Sequence, residues 1–248
     1  MIRTDDGPLH GHTLAARMST RYGDHGHPGA ATAAPDTLTA ADLRAWIGRA
    51  ERAIVRHRAQ LDRLDASLGD GDHGENMSVG FGDAVRSVGA DVESRDAGEV
   101  LRSLGQLLVA SVGGAGGSLY GTAFMEAGIA VAGRTGLDAS GLAEAFDAAA
   151  EGLARRGRCR LGDKTVYDAL RPAADAVASA ARDGDDLATA LGRAAAAANA
   201  GMRATRPLIA RRGLALRLGD RSRGHQDPGA TSCYLLFRSL LASGRTTG

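Results

Sequence analysis

Residues 61–77 read LDRLDASLGDGDHGENM and place three carboxylates, Asp65, Asp70 and Asp72, within eight residues. Crowded carboxylates repel one another unless a cation lies among them. The three glycines in the same stretch allow tight turns and close approach to a ligand. Mg2+ takes oxygen ligands and is commonly shared between carboxylates and substrate phosphates. The stretch therefore predicts a metal–phosphate site.

A long helix is predicted to lead into this acidic loop. Thr39–Asp42 resembles a capping box with Asp in place of Glu, and apolar residues follow helical spacing from Leu43 to Leu68. Gly69 and Gly71 are expected to end the helix at the acids. The helix thus presents the acidic loop at its carboxyl end.

Seven further helices are predicted downstream, at about 75–88, 97–112, 122–132, 140–156, 164–182, 185–205 and 227–243. No stretch alternates like a strand over a convincing length. Eight helices with short connections predict an all-α, antiparallel up-and-down bundle or barrel. Its odd-numbered helices would be followed by loops at one end, and these loops carry the acids, a glycine-rich turn, GDKT at 162–165 and GHQDPG at 224–229. The site is predicted at that end.

The glycine-rich turn, GGAGGSLYG at 113–121, has two interpretations. A turn that feeds a helix N-terminus binds anions well, because free amides and the helix dipole both favour phosphate. Small residues also allow two helices to cross closely. The residues alone leave both interpretations open.

Rival interpretations of the acidic loop fit less well. An EF-hand starting at Asp70 would need Gly at position six and Glu at position twelve, where Glu75 and Phe81 stand. An aspartate-nucleophile phosphatase would carry its acids after a buried strand, and no Walker A loop is present. A purely structural turn is the remaining alternative, but three uncompensated acids would destabilise it.

Composition narrows the class of protein. Aromatic residues make up only 4% of the 248 residues, which favours closely packed helices over a β-sandwich. The net charge of +1 gives no sign of a nucleic-acid or membrane partner. Two cysteines, the absence of a signal-peptide pattern and the absence of a long apolar run predict a cytoplasmic protein. Residues 1–36, with His10/His12 and His25/His27, are expected to form a flexible tail before a helical domain at 37–248.

Four motifs together resemble the nucleotide-binding L subunit of dihydroxyacetone (glycerone) kinases. They are GDGDHG at 69–74, GGAGGSLYGT at 113–122, GDKT at 162–165 and GHQDPGATS at 224–232. The resemblance covers about residues 37–246 in the family's order and spacing. Related fatty-acid kinase domains carry a D-G-D-T-G-T-N pattern instead, so His73 favours the glycerone branch.

The resemblance implies roles for particular residues. Asp65, Asp70 and Asp72 would hold a pair of Mg2+ ions that bridge the nucleotide phosphates and would be the catalytic group. The implied nucleotide contacts are His73, Gly74, Glu75 and Asn76 at a helix N-terminus, Gly116 and Gly117 in the glycine-rich turn, Gly157 and Val166 near the base, and Asp227, Pro228 and Gly229 in the last turn.

The resemblance also implies an activity and partners. A phosphoryl group would pass from bound nucleotide to dihydroxyacetone held on a separate K-type subunit. Either ADP stays bound and is rephosphorylated by an M-type subunit, or ATP is the substrate. The alternatives are a kinase subunit for a related keto-sugar such as erythrulose, and a non-catalytic, nucleotide-sensing regulatory subunit. A homodimer is a further expectation.

The chain departs from the family's pattern at several positions. Gly116 and Ser118 stand where family members usually carry Ser and Pro, and Val166 replaces a Met that packs on the adenine. Leu214 stands where the family has an arginine that contacts phosphate. Arg212 or Arg217 is the hypothetical substitute for that arginine.

Overall fold

Helix α1, Ala40–Ala66, begins at the predicted capping box. The hydroxyl of Thr39 accepts the amide of Asp42 at 3.2 Å, and the Asp42 carboxylate accepts the amide of Thr39 at 2.9 Å. Both bonds satisfy donors that a helix end otherwise leaves unpaired. The buried face of α1 carries Leu43, Trp46 and Ile47, as the helical spacing predicts.

The computed structural model describes residues 36–88 and 96–242, and most of them are helical. The predicted tail and its histidine pairs lie outside the described residues except for Asp36, so the boundary near residue 36 stays a prediction. The remaining helices are α2 His73–Ser87, α3 Ala97–Ser111, α4 Gly114–Ala130, α5 Ala139–Gly157, α6 Tyr167–Asp183, α7 Leu187–Ala204, a 3-10 helix Leu214–Ser222, and α8 Pro228–Leu241.

Helix α4 starts earlier than Thr122, where its start was predicted. The helix begins at Gly114, so the glycine-rich stretch is itself helical. Glycine disfavours helices, but here it lets α3 and α4 touch backbone to backbone. A Cβ added to Gly121 would lie 2.8 Å from the carbonyl oxygen of Gly105, and one added to Gly128 would lie 2.4 Å from that of Gly98. The close packing of α3 on α4 therefore outweighs the low helix propensity of glycine.

A short antiparallel ladder was not predicted. Strand β1, Leu38–Thr39, pairs with β2, Gly136–Leu137. Two residues are too few to show an alternating pattern. Because β1 precedes α1 and β2 precedes α5, the ladder places the starts of these helices at the same end, opposite the acidic loop.

Each helix packs against the next one in the sequence, and α8 also packs against α1. The all-α class is therefore confirmed, while closure of the eight helices into a barrel stays a prediction. The core is rich in alanine and leucine, with Phe81 and Trp46 among its larger side chains. Among residues 36–88 and 96–242, none of the helices combines the length and apolar composition that spanning a bilayer requires.

Candidate functional site

The acidic loop between α1 and α2 brings three carboxylates together. Asp65 is half-buried, Asp70 and Asp72 are exposed, and oxygens from all three lie within 4.8 Å of one another. No other His, Cys, Asp or Glu group of this kind occurs in the described part of the chain. Burial, reinforced by the Asp70 carboxyl group, raises the pKa of Asp65 above its usual value. A hard cation bound among these oxygens would relieve that repulsion.

Asp65 also shapes the loop through its second oxygen. Oδ2 accepts the amides of Gly71, Asp72 and His73 at 2.9, 3.1 and 3.3 Å. This oxygen is thus occupied by backbone donors, and Oδ1 is the oxygen of Asp65 left for a cation.

Asp62 was missed by the sequence analysis. Its Oδ1 accepts the amides of Gly74 and Glu75 at 2.7 and 3.1 Å. The first amides of α2 are therefore bonded to protein carboxylates. Glu75 turns its side chain back toward α1, where it pairs with Arg58 at 2.7 Å. The spacing of Asp62 and Asp65, one helical turn apart, was the available signal.

His73 begins α2 and contacts the start of α8. Its Nε2 lies 2.9 Å from the hydroxyl of Ser232, and that hydroxyl lies 2.7 Å from the hydroxyl of Tyr120. Tyr120 in turn donates to the carbonyl of Gly229 at 2.9 Å. Desolvation lowers the pKa of His73 to about 4, against the opposing fields of nearby carboxylates. The imidazole is therefore neutral at pH 7.

The N-terminus of α4 faces the same region. Its cap residue, Gly113, supplies no side-chain acceptor, and a Cβ there would lie 3.1 Å from Oδ1 of Asn76. A Cβ on Gly116 would meet nothing closer than 3.7 Å and would lie 3.8 Å from Nδ1 of His73. Gly117 instead faces the end of α3, because a Cβ added there would lie 2.2 Å from the carbonyl oxygen of Val112. The close helix crossing is thus observed at Gly117, and anion binding at the start of α4 stays a prediction.

The starts of α6 and α8 complete this end of the molecule. A Cβ on Gly229 would lie 3.3 Å from Cβ of Val166, so these two predicted contacts are neighbours. Pro228 is buried at the first turn of α8. Gly157 closes α5, where a Cβ would lie 3.1 Å from Cδ2 of Leu119 in α4. The predicted residues therefore come from six helix ends that meet at one pole: the ends of α1 and α5 and the starts of α2, α4, α6 and α8.

Asp227 is one of the buried acids near this pole, together with Asp163 and Asp168. Its Oδ2 caps α8 by accepting the amide of Ala230 at 2.7 Å. Desolvation raises the pKa of Asp227 to about 7; Asp168 and Asp65 reinforce the rise, and Lys164 opposes it. Asp227 thus supports the start of α8.

Leu214 lies on the surface, with 45% of its area exposed. Of its two candidate substitutes, Arg212 already donates from Nε to Oδ2 of Asp163 at 3.1 Å. Arg217 is exposed, and no ion pair is recorded for it within the described residues. Arg217 is the more available of the two, and its role stays a prediction.

Comparison with known proteins agrees with this geometry. The model of the DAK2 domain family matches residues 67–242. The chain belongs to the DAK2 domain family. The match begins at Ser67, directly after α1, and ends with α8. It includes Asp70 and Asp72 and the starts of α2, α4, α6 and α8, and Asp65 lies two residues before it.

Several curated relatives resemble the domain over most of its length. A Listeria innocua protein named PEP-dependent dihydroxyacetone kinase 2, ADP-binding subunit DhaL, is 38% identical over 189 residues, which are 76% of this chain and 87% of the relative. The ADP-binding subunit DhaL of the Escherichia coli PEP-dependent dihydroxyacetone kinase is 35% identical over 204 residues, covering 82% and 97%. An L-erythrulose 1-kinase of Mycolicibacterium smegmatis is 35% identical over 192 residues, but these are only 33% of that protein.

A solved structure supports the fold of the DAK2 domain. The dihydroxyacetone kinase from C. freundii, in complex with AMP-PNP and Mg2+, superposes with a TM-score of 0.64 at 20% identity. The alignment covers 93% of this chain and 38% of the kinase chain. At this identity the likeness shows the fold alone.

Proposed function

We propose that this DAK2 domain is the ADP- or ATP-binding subunit of a dihydroxyacetone kinase. It transfers a phosphoryl group from Mg-bound nucleotide to dihydroxyacetone held on a separate K-type subunit. The observation that carries the proposal is the three-acid group at the same pole as the uncapped, glycine-rich N-terminus of α4. The names of the DhaL relatives support the same nucleotide and the same acceptor.

The residues fit a divalent cation. Asp65, Asp70 and Asp72 provide only oxygen ligands, which is the donor set that Mg2+ prefers. We propose two Mg2+ ions held by these carboxylates, as the resemblance implies. When bound, Mg2+ neutralises charge on the polyphosphate and favours displacement at phosphorus.

The chain's own contribution is to position the nucleotide. No side chain caps the start of α4, so its first amides would donate hydrogen bonds to a phosphate, and Gly116, beside His73, leaves room for that approach. Val166 and Gly229 form an adjoining surface for the base. The side chains of Asp62 and Asp65 hold the acidic loop in shape, so that the metal-binding oxygens need little rearrangement when nucleotide arrives.

The other partners belong to the same proposal. The acceptor sugar lies on the K-type subunit, and an M-type subunit regenerates the donor if ADP remains bound; if it does not, ATP is consumed. We place the complex in the cytoplasm, and a homodimer of the L-type subunit is compatible with it.

Two alternatives have specific support. The likeness to an L-erythrulose 1-kinase favours a four-carbon keto-sugar as acceptor. The exposed Leu214, in place of the family's arginine, favours a subunit that senses nucleotide without turnover.

Reconstitution tests the proposal. The purified chain is mixed with a K-type subunit, Mg2+ and either ATP or a phosphorylated M-type subunit, and phosphorylation of dihydroxyacetone and erythrulose is measured. We expect phosphorylated dihydroxyacetone with one of the two donors. Product from erythrulose alone would favour the first alternative, and Mg-dependent nucleotide binding without product from either sugar would favour the second.

A further inference from the structure

Lys164, in the GDKT motif, is buried although it is charged. Only 2% of its area is exposed. Its ammonium group donates to the carbonyl oxygen of Thr205 at 2.7 Å and to the carbonyl oxygen of His225. These two carbonyls flank a segment that begins at Arg206 and ends at Gly224. One ammonium group therefore ties the two ends of this segment together.

Neighbouring contacts attach the same segment to the residue before Lys164. The amide of Arg211 donates to the carbonyl of Asp163 at 3.0 Å, and Nε of Arg212 donates to the Asp163 carboxylate at 3.1 Å. The amide of Gly224 donates to the carbonyl of Arg206 at 2.8 Å and closes the base of the loop. Residues 163–164 thus contact the segment at Arg211 and Arg212 and hold the two residues that flank its ends.

A buried ammonium is a costly way to fill a core position. Removing such a charge from water is unfavourable unless donors and fields compensate it, and an apolar side chain of similar volume usually packs at least as well. Here two carbonyl oxygens accept hydrogen bonds from the ammonium group, and the nearby carboxyl groups of Asp168 and Asp227 favour its charged form. Lys164 also adopts a left-handed backbone conformation, with φ of 61°, which non-glycine residues avoid. Position 164 therefore combines a buried charge with an unfavourable backbone conformation, and both accompany the hydrogen bonds of the ammonium group to Thr205 and His225.

The loop that Lys164 closes lies beside the candidate site. His225 is followed by Asp227, which caps α8, and by Gly229, which contacts Val166. We propose that Lys164 is a positioning residue, which fixes segment 206–224 and the start of α8 in the conformation that receives the nucleotide. This inference rests on the proposed function, because it assigns the loop to the same nucleotide site.

The contacts of Asp163 and Lys164 that hold segment 206–224 are called the clip below. Hydrogen exchange of the unmodified chain without nucleotide tests the clip itself. The amides of Arg211 and Gly224 should exchange at least 100-fold more slowly than in an unstructured chain, because both donate to carbonyls that the clip holds in place. Exchange at the unstructured rate would overturn the inference. This exchange measurement does not depend on nucleotide binding. Failure of the chain to bind ADP would therefore count against the proposed function and not against the clip.

The variant Lys164→Met tests the positioning role. Methionine fills the slot without donating, so the two carbonyls lose their donor. We expect at least tenfold faster exchange at Arg211 and Gly224 and at least tenfold weaker Mg-ADP binding, measured well below the melting temperature. The control is Leu187→Ala, a core truncation at the far end of α7, which should lower the melting temperature without changing ADP affinity.

Two results would overturn the positioning role. One is wild-type exchange and wild-type ADP affinity in Lys164→Met. The other is an equal loss of ADP affinity in the control at a matched loss of melting temperature. If Lys164→Met does not fold, the exchange of the unmodified chain decides.

Discussion

Asp62 and Asp65 lie one turn apart on α1, and their carboxylates accept the amides of five consecutive residues, 71–75. The end of one helix thus caps the start of the next across the acidic loop. The consequence for the site is twofold. The amides at the start of α2 are already occupied, and the proposed metal ligands Asp70 and Asp72 lie in a loop whose backbone is held from the α1 side.

Asp62→Ala should weaken both the fold and the metal site. Loss of a capping carboxylate costs roughly 1 kcal/mol of unfolding free energy. Since supporting residues orient metal ligands, Mg2+ affinity should also fall about 10-fold or more. Urea unfolding measures the first effect, and calorimetric titration of Mg2+ in the presence of ADP measures the second.

Asp186→Ala is the matched control. Asp186 caps α7 by accepting the amide of Thr189 at 2.7 Å, at the opposite end of the bundle. It should lose a similar free energy of unfolding and keep its Mg2+ affinity. If the two variants bind Mg2+ and ADP equally well, Asp62 has no role in the site.

Tyr120→Phe should loosen the contact between α4 and α8. The buried hydroxyl lies 2.9 Å from the Gly229 carbonyl and 2.7 Å from the Ser232 hydroxyl. Removing it leaves polar groups unpaired, at a cost of about 1–3 kcal/mol in unfolding free energy. Because Ser232 also contacts His73, ADP affinity should fall roughly fivefold, as expected for about 1 kcal/mol.

The control for this variant is Tyr234→Phe in α8, the helix that Tyr120 contacts from α4. Its ring lies against the guanidinium group of Arg238, 5.6 Å from the ring centroid, and is partly exposed. It should leave ADP affinity unchanged. Equal ADP affinities of Tyr120→Phe and the wild-type chain would mean that the hydrogen bonds of the Tyr120 hydroxyl do not contribute to nucleotide binding.

Asp227 should make stability fall as pH rises. Its pKa is about 7 in the folded chain against 3.8 in the reference state, because burial disfavours the charged form. Between these values the folded state holds a proton that the unfolded state has lost, so the folded state is favoured at the acid end of the window and loses that advantage toward pH 7. Lys164 opposes the shift, and Asp168 and Asp65 increase it.

Asp227→Asn isolates this contribution, because asparagine is neutral throughout and can still accept the amide of Ala230. The unfolding free energy of the wild-type chain minus that of the variant should fall by roughly 2–4 kcal/mol between pH 4 and pH 7.5. Urea unfolding at several pH values provides the measurement. A difference that is independent of pH would mean that Asp227 titrates as an ordinary surface acid.

Much of the fold could be predicted from local patterns. The capping box at Thr39 fixed the start of α1, and helical spacing located the other helices to within a few residues except at α4. At α4 the glycines predict a turn, whereas contact with α3 makes glycine necessary within the helix. Such a tertiary contact has no signature in a single stretch of sequence. The β1–β2 ladder was missed because each strand has only two residues.

The candidate site was predictable as a set of loops but not as a set of contacts. The acids at 65, 70 and 72 converge as expected, and so do His73, Gly116, Val166 and Gly229. The positions of Asp62 and Lys164 depend on which backbone groups come within reach after folding, and sequence spacing does not encode that. Packing on the end of α3 accounts for the missing side chain of Gly117, and its assignment to phosphate binding stays a prediction.

The central claim is that the three aspartates bind a Mg-nucleotide, and calorimetric titration of ADP tests it most directly. ADP is titrated into the wild-type chain with Mg2+ and with EDTA, and into Asp70→Asn with Mg2+; Asp175→Asn, an exposed acid on α6, is the control. We predict binding with Mg2+ that EDTA removes, at least a 100-fold loss in Asp70→Asn, and wild-type affinity in Asp175→Asn. ADP binding that is indifferent both to Mg2+ and to Asp70→Asn would contradict the account.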